Sequence, residues 1–166
     1  MTIDIMKANK VFLIKALIVS LVTALTMYGC AETVRIGWDS QLVRSSEFEL
    51  FIINKLQDEP KKGQYIAYHP LKNDYFDETV TFVKIIAALP GDQIVVKDGY
   101  QRINGGGPKF LHLMGTLKKK INDLDREVTV QEGYIWMMGA TNNSYDSRYT
   151  GPIPKENIIG YAYPLF

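Results

Sequence analysis

Thr79-Val80-Thr81-Phe82-Val83-Lys84-Ile85-Ile86-Ala87-Ala88-Leu89-Pro90-Gly91-Asp92 is the stretch on which the reading of this chain turns. It is β-branched and apolar, which predicts a buried strand, and it stops at a Pro-Gly turn. Strand side chains alternate between faces, so Lys84 shares a face with Phe82 and Ile86. Two readings are open for that lysine. It is an edge-strand charge that blocks unwanted pairing, or it is a desolvated amine, pushed toward its neutral form and able to act as a general base.

Short strands separated by turns extend outward from this one. Phe48 to Lys55, Gln64 to His69, Gln93 to Lys97, Tyr100 to Asn104, Glu127 to Val130, Gly133 to Met138 and Ile158 to Tyr163 all read as strands. Pro60-Lys61-Lys62-Gly63 and Gly105-Gly106-Gly107-Pro108 read as turns, and Pro154 to Asn157 as a short helical turn. Phe110 to Asp125 has no clear period. Ten tyrosines, seven phenylalanines and many Val and Ile fit a mostly β domain.

The bulk properties exclude several function classes. A length of 166 residues holds one domain and an appendage. A net charge of +1 gives no nucleic-acid signal. The single cysteine, Cys30, rules out an internal disulfide framework. The glycine run at 105–107 lacks the lysine and Ser/Thr of a phosphate loop, and His69 and His112 lack metal-ligand spacing. Lys118-Lys119-Lys120 reads as a solvated loop, with contact to anionic headgroups as the alternative.

Val11 to Gly29 reads VFLIKALIVSLVTALTMYG, about the length of a membrane-crossing helix. Lys15 is placed to snorkel. Lys7, Lys10 and Lys15 lie on the N-terminal side, which orients residues 1–10 to the cytoplasm, residues 11–29 as a transmembrane anchor and residues 30–166 to the far side. Two alternatives are a cleaved signal peptide with Ala16 to Gly29 as its apolar region, and a lipid anchor on Cys30. All three put the β domain outside.

A second polar group of residues, Met138-Gly139-Ala140-Thr141-Asn142-Asn143-Ser144-Tyr145-Asp146-Ser147-Arg148-Tyr149-Thr150-Gly151, follows a predicted strand. It reads either as a hydrogen-bonded turn with Asp146 and Arg148 paired locally, or as a polar wall that orients Lys84. Its spacing alone allows both.

The stretch from Phe82 to Asp92 resembles the lysine box of type I signal peptidases, in which a lysine is followed by Leu-Pro-Gly-Asp. Ser144-Tyr145-Asp146-Ser147-Arg148-Tyr149-Thr150-Gly151 is similar to that family's last box, and Lys62-Gly63-Gln64-Tyr65-Ile66-Ala67 to its strand box. Gly160 to Phe166 is similar to the C-terminal end of the TraF-type branch, which matures pilin subunits in conjugation. The resemblance implies a signal-peptidase/LexA-like β fold behind one transmembrane helix. It also implies a Ser-Lys dyad without cofactor or metal, acting on a pilin-like precursor protein at the bacterial inner membrane with its catalytic domain periplasmic and no nucleic-acid partner. Lys84 matches the base, Ser144 a group that hydrogen-bonds it, and Asp146 and Arg148 a supporting pair. The nucleophile box departs from the family, because no proline follows a serine at the required spacing. Placing Leu50-Phe51-Ile52 on the strand after that box puts Ser45 on the nucleophile, with Ser46 and Ser40 as alternatives. The departure also admits an inactive assembly component of the pilus machinery that keeps the fold.

Overall fold

The structure, a computed structural model, describes residues 2–38, 46–56, 59–77, 79–113, 115–117 and 119–166. The chain divides into two units, Met1–Arg35 and Ile36–Phe166. The first is a helix, α1 (Thr2–Thr33), with no proline to break it. Its segment Asn9–Thr33, 25 residues, is long and apolar enough to cross a membrane. At 1.5 Å per residue it spans about 37 Å, more than the ~30 Å of a bilayer's hydrocarbon. Three of its hydroxyls are satisfied within the helix: Thr23, Thr26 and Thr33 donate to the carbonyls of Val19, Val22 and Gly29 at 2.9, 2.9 and 3.0 Å. Apolar surroundings require that arrangement of any polar side chain they hold.

The second unit is built of short strands: β1 (Val34–Trp38), β2 (Leu50–Asn54), β3 (Tyr65–Tyr68), β4 (Phe82–Ala88), β5 (Gln93–Lys97), β6 (Tyr100–Ile103), β7 (Lys109–Phe110), β8 (Arg126–Thr129), β9 (Tyr134–Met138), β10 (Ile153–Pro154) and β11 (Ile158–Pro164). Among the described residues they form a seven-stranded sheet ordered β1-β2-β11-β3-β4-β9-β10 and a four-stranded sheet ordered β7-β6-β5-β8. The mostly β class expected from composition is therefore present.

β4 lies inside the larger sheet, paired antiparallel with β3 on one side and β9 on the other. Its exposure alternates residue by residue, with Phe82, Lys84, Ile86 and Ala88 buried. Lys84 is thus not an edge lysine, and the pairing-blocker reading falls.

The sheet buries both faces. On the Lys84 face, Ile66, Tyr68, Phe82, Ile86, Ile135, Met137, Ile153 and Tyr161 form one cluster. On the other, Phe51, Ile53, Ala67 and Ala162 pack with Phe48, Tyr65 and Val83. The two sheets meet through Ala88, Trp136 and Met138 against Ile94, Val96 and Val130. There the Trp136 indole N–H donates to Gln101 Oε1 at 2.9 Å, which lets a polar ring sit at zero exposure.

Most predicted strands appear within a residue or two of their expected limits. The two-residue strands β7 and β10, the strand β1 and the single turn of helix α2 (Ser147–Thr150) were not anticipated. The segment Phe110 to Asp125 resolves into 3-10 turns at Gly115–Leu117 and Ile121–Leu124.

β11 shifts register against β3 between Ile158 and Gly160, just before its pairing with β2 begins at Tyr161 and Asn54. A Cβ at Gly160 would collide with the carbonyl oxygen of Asn54, lying only 2.8 Å from the carbonyl carbon behind it. Gly160→Ala is expected to destabilise the domain by about 1–3 kcal/mol through forced separation of β2 and β11. Chemical denaturation checks this, and a midpoint equal to the parent's would refute it.

Candidate active site

Lys84 stands in a row that crosses four strands. It pairs with Ile66 on β3, Ile66 with Tyr161 on β11, and Tyr161 with Asn54 on β2. Residues opposite one another in a ladder share a face, so the amine rises among Ile66, Tyr161 and its own-strand neighbours. It is 5% exposed. Its Nζ lies 5.4 Å from the centroid of the Phe82 ring. That ring is fixed by edge-on contacts: Phe76 at 5.0 Å and 80°, Tyr68 at 5.9 Å and 76°, and Tyr145 at 6.5 Å and 70°. The ladder between β4 and β9 runs from Ala88 to Ile85 and there ends, at Met138. Residues 82–84 continue past it, and the departing chain forms the loop of the last box.

That loop is held by one buried ion pair. Asp146 and Arg148 are each 1% exposed and pair in bidentate fashion, Nε to Oδ1 at 2.8 Å and Nη2 to Oδ2 at 2.7 Å. Two further guanidinium hydrogens go to the carbonyls of Phe110 at 3.1 Å and Thr141 at 3.0 Å. Asp146 accepts in turn from the Gly139 N–H at 2.8 Å and caps α2 by accepting from the Arg148 N–H at 3.1 Å. Ser147 Oγ accepts from the Met137 N–H at 2.9 Å. These bonds tie the loop to the end of β9. The reading of a local pair holds, and Tyr145 of the loop packs against the cluster on the Lys84 face.

Ser144, next to Tyr145 in that loop, is 2% exposed, and its Oγ has no hydrogen-bond partner among the described residues, so the bond to Lys84 that the resemblance implied is not formed here. Such orphaned hydroxyls are uncommon in a core and mark places with a role beyond packing. On the same face, burial first and then the Asp146 and Tyr145 charges push the Tyr68 phenol far above its ordinary range, so it stays neutral.

The serines separate. Ser46 is buried at 4% exposure; its Oγ accepts from the Phe48 N–H at 3.2 Å and lies close enough to the Tyr65 hydroxyl to offset part of the rise that burial gives that phenol. Tyr65 pairs with Ile85 and packs with Phe48 and Phe51 on the face opposite Lys84. Ser46 is thereby engaged away from the amine. Ser45 and Ser40 lie outside the described residues.

The turn after β4 is braced as well. Asp92 accepts from Lys62 Nζ at 2.8 Å, from the Leu89 N–H at 2.7 Å and from Asn104 Nδ2 at 2.7 Å. Burial alone would raise this carboxyl, but those donors together hold it below its ordinary value. Lys62 precedes Gly63, whose N–H donates to the Ile86 carbonyl at 2.9 Å, so the strand box and the lysine box are clamped together. Beside them a groove of about 320 Å³ runs between the β4 residues Ile85 and Ala87 and the loop at Gly139 to Asn142. The contacts of Phe76, Asn104 and Lys62 escaped the sequence reading, because their partners are distant in the chain.

A family model described as signal peptidase, peptidase S26, matches residues 8–166. The chain is similar to a probable signal peptidase I-1 of Synechocystis sp., at 30% identity over 157 residues, covering 90% of this chain and 78% of that one. It is also similar to two conjugal transfer proteins TraF. One is from Agrobacterium fabrum, at 23% identity with 78% and 82% covered, and the other from Agrobacterium tumefaciens, at 26% with 91% and 90% covered.

Breaking the buried pair from one side, as Asp146→Asn or Arg148→Met, is expected to remove about 3–5 kcal/mol of stability, because the remaining charge is left buried alone. Thermal or urea unfolding reads this, and a loss under about 1 kcal/mol would contradict it. The Asp92 carboxyl sets a pH dependence. Since its folded value is lowered, its contribution is complete above the ordinary carboxylate range and is lost as pH falls through the folded value. Stability measured from pH 7 to pH 3 is therefore expected to fall less steeply in Asp92→Asn than in the parent.

Proposed function

This chain belongs to the signal peptidase family, peptidase S26, and is a serine endopeptidase of the signal peptidase I kind; from that premise we propose that Lys84 is its general base and that it removes leader peptides from exported precursors. One observation carries this reading: an amine 5% exposed on an apolar sheet face, beside a loop locked in place by a buried ion pair. Burial disfavours the ammonium, and a neutral amine is what the chemistry needs.

The steps balance with one base. The serine Oγ–H proton passes to the Lys84 lone pair as the Oγ–C bond forms at the scissile carbonyl. The tetrahedral oxyanion collapses, the C–N bond breaks, and the lysine ammonium gives its proton to the leaving amine. Water then attacks the ester through the same amine, and the serine is regenerated. We assign the nucleophile to Ser45, in keeping with the engagement of Ser46 on the opposite face. Asp146 and Arg148 hold the loop and take no part in proton transfer. Residues 82–84, past the end of the β9 ladder, offer main-chain groups for strand addition by an extended leader.

In this reading α1 anchors the chain through residues 11–29 with residues 1–10 cytoplasmic, and residues 30–166 act on the outer side of the bacterial inner membrane. The similarity to two conjugal transfer proteins supports a pilin-like precursor of a conjugative secretion system as substrate.

Co-expression with a pilin-type precursor, followed by gel mobility of the leader, tests the assignment. Leader removal is expected for the parent and Ser46→Ala, and a loss of at least about a thousandfold for Lys84→Ala and Ser45→Ala. Activity surviving in Lys84→Ala would remove the lysine from the mechanism. Full activity in Ser45→Ala with loss in Ser40→Ala would move the nucleophile. Binding without cleavage by the parent would support the assembly-component alternative.

A further inference from the structure

We propose that the groove flanked by Lys62 and Lys109 is a subsite for an acidic side chain in the part of the precursor that follows the cut. The inference rests on the peptidase reading above and adds to it a charge preference for the substrate.

The groove, of about 320 Å³, lies at the open margin of the contact between the two sheets. Its floor is apolar, made by Ile85 and Ala87 of β4, Ile103 of β6 and Met138 of β9. Lys109 reaches it from the smaller sheet. It pairs with Gln101 on β6, and residues opposite one another share a face. Gln101 is buried against Trp136 and Met138, so that face is the one turned toward the larger sheet. Lys62 reaches the groove from the turn before β3, which belongs to the larger sheet. Two ammonium groups, one from each sheet, thus flank one apolar trough.

The charges around the trough do not cancel. Lys62, Lys109 and Arg148 line it, and no carboxylate among the described residues does. Arg148 is answered by Asp146 at 2.7 Å, and Lys62 by Asp92 at 2.7 Å. Lys109, exposed on its two-residue strand, has no ion pair among the described residues and keeps its full charge. A cation left unanswered above an apolar floor is complementary to an extended chain that carries a carboxylate beside apolar side chains.

The place of the groove selects which part of the substrate it meets. From Ile85 onward the β4 edge is closed, because Met138 takes the pairing there. A leader lying along residues 82–84 therefore sends the residues after the cut away from β4 at that point. The loop at 139–142, where β9 ends, is a wall of the groove. At ~3.3 Å per residue, Ile85 and Ala87 lie within about 10 Å of Lys84 along the strand, which corresponds to residues about two to four past the cut.

The test uses two synthetic, dye-labelled junction peptides whose leader half ends in Ala-Leu-Ala and whose continuation is Ala-Val-Glu or Ala-Val-Gln. Binding is read by fluorescence anisotropy on full-length Lys84→Met protein in detergent micelles, and cleavage on the parent. The Glu peptide is expected to bind about two- to fivefold more tightly at low salt, and the difference to shrink toward none near about 0.5 M salt. In the parent the same preference is expected in KM, with kcat alike for the two peptides. Lys109→Gln is expected to bring the ratio close to one and Lys109→Arg to restore it. Lys97→Gln, which removes a charge from the opposite face of the smaller sheet, is expected to leave the ratio as it is. Equal affinity for the two peptides, or a ratio that survives Lys109→Gln, would overturn the subsite. So would a ratio that falls as far in Lys97→Gln, since the general field of the domain would then explain it. Equal binding and equal cleavage of both peptides would remove the subsite and leave the peptidase reading intact. A Lys109-dependent binding preference without cleavage of either peptide would keep the subsite and remove the peptidase reading.

Discussion

The buried pairing of Asp146 with Arg148 is the interaction on which the site's geometry rests. Two charges at 1% exposure are tolerable only because nearly every lone pair and N–H hydrogen is used. Arg148 spends its hydrogens on Phe110 and Thr141 as well as on the carboxylate, and Asp146 gathers Gly139 and the first turn of α2. One ion pair therefore joins the last-box loop, the end of β9 and the start of the segment after β7. With that loop fixed, Tyr145 stacks on Tyr149 at 5.2 Å and braces Phe76 and Phe82, and through Phe82 the place of the lysine head. An ordered polar loop becomes a wall because its charges satisfy one another.

The sheet adds a constraint of its own. Side chains one residue apart fall on opposite faces, and here both faces are packed. Lys84 and Tyr65 lie on adjacent strands of one sheet, yet their clusters do not mix. That separation sets Ser46, beside Phe48 and Tyr65, apart from the cluster around Lys84.

Much of this was legible in the chain before any coordinates. The alternation in Phe82 to Ala88 gave the face of Lys84 correctly, since a strand's period is a local property. The apolar run near the N-terminus read as a helix for the same reason, although the helix extends from Thr2 to Thr33, beyond the apolar stretch. What escaped was set by distant partners. β10 is two residues, Ile153 and Pro154, that count as strand only because Ile135 and Tyr134 lie opposite. Phe76 sits in a loop without period and gains its role from Phe82 and Tyr145. The brace between Lys62 and Asp92 joins residues 30 apart in sequence. Local pattern names the strands; it carries no record of which loops will meet across them.

The position of β11 has a bearing on how the domain comes into being. The strand nearest the C-terminus is inserted between β2 and β3, and its Tyr161 occupies the row that runs to Lys84. Until Ile158–Pro164 has been synthesised and docked, the neighbouring edge of β3 is unpaired and the row from Ile66 to Lys84 stays open to water. Closing it needs contacts of long sequence separation, which makes folding slow relative to a locally connected sheet. Burial of Lys84 therefore depends on a strand more than seventy residues away in sequence. Desolvation of Lys84 is in this sense a property of the completed sheet, and a fragment lacking Ile158–Pro164 would leave that lysine hydrated.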